Sequence, residues 1–82
     1  MYKNYAPDGK RNLCGPQVAA LRRAKVPKLS QRGLAALLQV NDLDVDKNAV
    51  QRIESGQRFV TDIELKALAQ ALGVTVEKLL EP

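Results

Sequence analysis

The sequence predicts an all-α domain of five short helices, preceded by an N-terminal arm over residues 1–14. Three observations predict it. From Pro16 onward the apolar residues recur at helical rather than alternating spacing. They are Leu, Val, Ile and Ala, with aromatics at only 4%, and aliphatic stripes of that kind pack helix on helix. Start and stop residues also punctuate the chain at short intervals. Gly15-Pro16, Ser30, Asp46, Thr61-x-x-Glu64 and Thr75 open helices, whereas Pro27, Gly56 and Gly73 close them.

The arm (MYKNYAPDGKRNLC) shows no helical period, and Pro7-Asp8-Gly9 reads as a turn. Tyr2 and Tyr5 are candidates to dock on the domain. Lys3, Lys10 and Arg11 make the segment basic enough to run along a polyanion, as homeodomain arms do. The first helix is expected from Pro16 to about Lys25, with Gly15 at the cap. Its stripe is Val18, Leu21 and Ala24, flanked by Cys14 or Ala19. Arg22, Arg23 and Lys25 sit at its C-terminal end, where cations suit the helix dipole. Val26-Pro27 ends it, since a residue before proline avoids the α region.

Ser30 caps the second helix, which continues through Gln39 with Leu34, Ala35, Leu37 and Leu38 inward. Gly33 weakens its first turn by about 1 kcal/mol relative to alanine. The connector from Val40 to Val45 is turn-rich and acidic at Asp42 and Asp44, with Leu43 and Val45 as anchors. Asp46 caps the third helix, and Gly56 lies just past its end. The fourth helix opens on the Thr61/Glu64 capping box and runs to about Leu72, with Ile63, Leu65, Leu68, Ala71 and Leu72 inward. Thr75 caps a short fifth helix, Val76 to Leu80.

The third helix has an unusual division of faces. At roughly 100° per residue, Ala49, Val50, Ile53 and Glu54 fall on one side. Lys47, Asn48, Gln51, Arg52 and Ser55 occupy the other, within an arc of about 140°. That second face carries no aliphatic side chain and no carboxylate. Its long donors and amides are the groups that hydrogen-bond base edges and phosphates. A solvated helix face looks similar in isolation, so the surrounding chain has to decide.

Charge is unevenly distributed. Residues 1–32 hold eight Lys/Arg against Asp8 alone, giving +7; residues 33–82 hold five against eight acids, giving −3, for a net +4. A basic front half favours a polyanionic partner, nucleic acid ahead of membrane, because no basic amphipathic helix carries large exposed apolar residues. With one cysteine, Cys14, and no histidine, neither an internal disulfide nor a zinc site is expected, and the commonest general base is missing. No Gly-rich phosphate loop or other cofactor motif is present. No apolar run approaches the ~20 residues of a membrane span, and no signal-peptide core is seen. The expectation is a cytoplasmic, non-catalytic protein without a cofactor.

Four pieces occur in one order: Leu21-Arg22; Leu29-Ser30-Gln31 with Ala35; Val50-Gln51-Arg52-Ile53-Glu54-Ser55-Gly56; and Leu68-Ala69-Gln70-Ala71-Leu72-Gly73-Val74. Together they resemble the phage-repressor/Cro-type helix-turn-helix family (lambda-repressor-like, xenobiotic-response-element type), over about Gly15 to Leu80. The resemblance implies that the second and third helices form the helix-turn-helix pair, with the third lying in the major groove of double-stranded DNA. It places Lys47, Asn48, Gln51 and Arg52 at recognition positions. It sets Gln31 beside the DNA backbone, with Arg58 as a further phosphate contact, and makes Ala35 the small residue where the helices cross. It also pairs Glu54 with Arg22 as a structural ion pair. The connector between Leu38 and Val50 is longer than in short-turn members, and Gln39 replaces the usual turn glycine. This bears on how the third helix is presented, and the connector acids are expected to point away from phosphate.

The resulting expectation is a sequence-specific regulator, a repressor occupying operator DNA as a homodimer. Its dimer contacts would come from the arm or from Val76, Leu79 and Leu80. The alternative is an antitoxin or adaptor whose main partner is a protein, which a donor-poor third helix would favour.

Overall fold

The computed structural model describes residues 5, 6 and 8–82; Tyr2, Lys3 and Pro7, named above, lie outside them. Five helices follow in order: α1 (Gly15–Arg23), α2 (Gln31–Val40), α3 (Lys47–Glu54), α4 (Asp62–Leu72) and α5 (Val76–Leu79). Each of the last four opens on a side-chain cap of the expected kind. Ser30, Asp46, Thr61 and Thr75 accept from the backbone N–H three residues on, and Glu64 completes the capping box. Gly73 closes α4 in the left-handed region at φ 72°, where glycine has no Cβ penalty.

α3 packs against both α1 and α2, α4 lies across α1 and α2, and α5 covers the end between α1 and α4. The shared core is Val18, Leu34, Leu38, Val50, Ile53, Leu68, Leu72 and Leu79, all essentially removed from water. Cys14 joins it. Burial pushes the Cys14 thiol up to about 11, which leaves it protonated and unreactive.

The start of α1 departs from a simple cap. Cys14 occupies the cap position without a side-chain bond, and Asn12 Oδ1 instead accepts from Gly15 N at 2.8 Å. The same side chain donates to Ile53 O at 3.1 Å and to Arg58 O at 2.8 Å. It therefore ties the arm, α1 and the exit of α3 together. Gly15 is needed for a related reason, since a Cβ there would run into the carbonyl of Ile53. Asn12→Ala leaves three backbone groups to find new partners, and a loss of about 1–3 kcal/mol is expected in chemical denaturation.

Three apolar assignments are corrected. Ile63 is 70% exposed, because it lies about 140° around α4 from Leu68, on the far side from the stripe of Leu65, Leu68 and Leu72. Leu37, at the margin of the α2 stripe, is 42% exposed. Ala24 is exposed because α1 stops at Arg23. Lys25 then donates to Leu72 O at 2.7 Å, tying the loop after α1 to the end of α4. Leu79 is fully buried, so it belongs to the core and not to a dimer surface.

The long connector is ordered by few contacts. Gln39 Nε2 donates to Val45 O at 2.8 Å, Leu43 N to Leu38 O at 3.2 Å, and Val45 is buried. Asp42 takes a left-handed conformation at φ 63°, which Asp tolerates better than most residues. Asp42 and Asp44 are exposed.

Candidate nucleic-acid interface

α3 owes its two faces to what surrounds it. Ala49, Val50 and Ile53 are buried against α1 and α2, which turns Lys47, Asn48, Gln51, Arg52 and Ser55 outward, all exposed. The two carboxylates of this stretch are engaged in structural bonds, although Asp46 remains exposed. Asp46 Oδ1 accepts from Ala49 N at 2.8 Å at the helix start. Glu54 is held inside by Arg22, with Nε donating to Oε2 at 2.6 Å and the second amino group to Oε1 at 3.1 Å. The side chains of this pair are 9% and 6% exposed.

Arg22 also donates to Leu29 O at 3.1 Å, so one guanidinium joins α1, the entry to α2 and the end of α3. Burial alone would raise the Glu54 carboxyl, but hydrogen bonds from Arg22 and Gln31, with the Arg22 and Arg23 charges, hold it below its ordinary value. The same pairing holds the Arg22 guanidinium above its own.

Gln31, expected beside the DNA backbone, is half-buried and donates from Nε2 to Glu54 Oε1 at 3.0 Å. It lines a concavity with Gln51, Glu54 and Arg23. Next to it, Lys47 faces Ser30, Gln31, Arg32 and Lys28 across a second concavity. The start of α2 thus borders the Lys47 and Gln51 edge of the outward face.

Arg58, expected as a further phosphate contact, is partly exposed and holds a structural partner. It forms a forked pair with Glu64 at 3.2 and 3.0 Å, and Glu64 also accepts from Thr61 N at 3.0 Å. Its guanidinium braces the start of α4, where a carboxylate suits the positive helix end. Arg23, Lys28 and Arg32 border the α3 face without having been named as DNA contacts from the sequence. Their signal was only the basic bias of residues 1–32. Asn12 carried a faint signal, standing three residues before Gly15 at cap spacing; its two long-range acceptors carried none.

A family model described as a helix-turn-helix domain matches residues 15–81. The chain belongs to that family. No curated protein and no solved structure matches it. The match covers all five helices of the helix-turn-helix domain. Among the described residues no helix is long and apolar enough to cross a membrane.

Proposed function

We propose that this helix-turn-helix domain is a non-catalytic, sequence-specific DNA-binding regulator of the phage-repressor/Cro type, a repressor that acts by occupying operator DNA. The observation that carries this reading is the outward face of α3. Lys47, Asn48, Gln51 and Arg52 are exposed together, while Asp46 and Glu54 are turned into structural bonds. Such a face can enter a major groove, where Lys or Arg reads guanine O6/N7 and Asn or Gln reads adenine N6/N7. The start of α2, with Ser30, Gln31 and Arg32 beside Lys47, supplies backbone N–H groups and donors for a phosphate.

One such domain reads only a few base pairs, so specificity comes from a homodimer on a pseudo-palindromic site. Leu80, 44% exposed, remains available to that contact. Selection from a random duplex library at stated salt, with size-exclusion mass on the bound species, tests the reading. Enrichment of a pseudo-palindrome is expected, with log K falling against log salt by roughly 0.9 per phosphate contacted. Absence of duplex binding even at low salt overturns it.

A further inference from the structure

Residues 6 and 8–11 are held together beside the end of α3. Ala6 N donates to Lys10 O at 2.6 Å and Gly9 N to Ala6 O at 2.8 Å, while Asp8 Oδ1 accepts from Lys10 N at 3.0 Å. The turn is then fastened to the exit of α3. Arg11 N donates to Gly56 O at 2.8 Å, and Lys10 Nζ to Ser55 O at 3.1 Å. The Lys10 stem packs on Gly56, which adopts φ 80°. Tyr5 and Phe59 stack with ring centroids 6.3 Å apart, and the Arg11 guanidinium sits 5.4 Å from each centroid. Cation–π contact of that kind fixes a cation without using its N–H groups.

The placement of these cations indicates what they face. Arg52, at the edge of the outward α3 face away from Lys47, lines one concavity with Asp8, Lys10, Arg11 and Ser55. The start of α2 lies along the opposite edge, with Lys47. The donor face of α3 is therefore flanked on both sides by basic groups, and a helix in a major groove has a phosphate strand on each side.

We propose that the Asp8–Arg11 segment is a wing that binds the phosphate backbone of duplex DNA on the side of α3 opposite to α2, with Lys10 and Arg11 as the phosphate ligands. The proposal rests on the DNA-binding reading above. Asp8 opposes it in charge, but the Asp8 carboxylate is held by the turn's own backbone. Because the wing is ordered before contact, little side-chain freedom is lost on binding. Phosphate contacts of this type add affinity without sequence preference.

The test is the salt dependence of binding by the full chain, on the selected duplex and on an unrelated one. Lys10→Gln and Arg11→Gln are each expected to reduce the magnitude of the log K against log salt slope by about 0.9. Both are expected to weaken the two duplexes by the same factor, and Arg11→Lys is expected to restore the slope. An unchanged slope in the double variant, with an unchanged melting temperature, overturns the wing alone; so does a loss confined to the selected duplex. If the double variant melts early, Asp8→Asn decides, since it keeps the oxygen acceptor and removes the opposing charge. It is expected to tighten both duplexes about two- to five-fold, and no gain overturns the wing. A wild-type chain that binds no duplex at low salt overturns the DNA reading and the wing together.

Discussion

Glu54→Ala is expected to lower the stability of the domain by about 3–5 kcal/mol, read from the urea midpoint at unchanged slope. The reason is the position of Arg22, 8% exposed, whose charge would be left inside without its forked partner. Gln31 would lose its acceptor as well. Against a total of about 5–15 kcal/mol for a folded domain, this loss brings the variant near unfolding at growth temperatures. Replacing both partners with aliphatic side chains of similar volume is expected to recover most of it, because the penalty comes from an unpaired buried charge and not from loss of a strong net bond.

A pH dependence follows from the same bonds. The Glu54 and Glu64 carboxyls are both held below their ordinary value of 4.5; burial would raise each, but hydrogen bonds from Arg22 and Gln31 and from Arg58 and Thr61 outweigh it. A carboxyl with a lowered folded pKa contributes stability that is complete above its unfolded value and is lost as pH falls through the folded one. The melting temperature is therefore expected to be flat near neutrality and to fall below about pH 4.5, with Glu54→Gln reducing that acid-side slope.

The second large effect concerns affinity and rests on the proposed DNA reading. Gln51 lies inside the outward arc of α3, between Lys47 and Arg52 by angle, and is exposed. Its amide can pair with a base edge in both donor and acceptor roles. Gln51→Ala is expected to weaken binding to the selected duplex by about 1–3 kcal/mol, roughly five- to 150-fold in Kd, with binding to unrelated duplex nearly unchanged. Competition titrations on both duplexes check this. A uniform loss across sequences would instead make Gln51 a backbone contact.

Much of the fold was legible because its signals are local. Ser30, Asp46 and Thr61-x-x-Glu64 satisfy N–H groups three residues away, and Gly56 and Gly73 close their helices by their own backbone freedom. The outward face of α3 was legible for the same reason, because helical angle alone sorts Lys47 and Gln51 from Val50 and Ile53. The misplaced residues sit where periodicity is weakest. Ile63 lies in a first turn, where one apolar residue cannot declare its side, and Leu37 lies at a stripe margin.

The sequence by itself determined five helices, four of them opened by side-chain caps, an aliphatic core and one donor-rich helix face, since each depends on residues within a turn of one another. Only the tertiary structure decided the rest. It bound Gln31 to Glu54 and Arg58 to Glu64, and fastened residues 10–12 to the exit of α3 through Ser55, Gly56 and Ile53; the Arg22–Glu54 pair, 32 positions apart, was expected only from the family resemblance. A guanidinium or an amide has several acceptors within its chemical reach. Which one it takes is set by the packing of helices distant in sequence, and no local pattern records that choice.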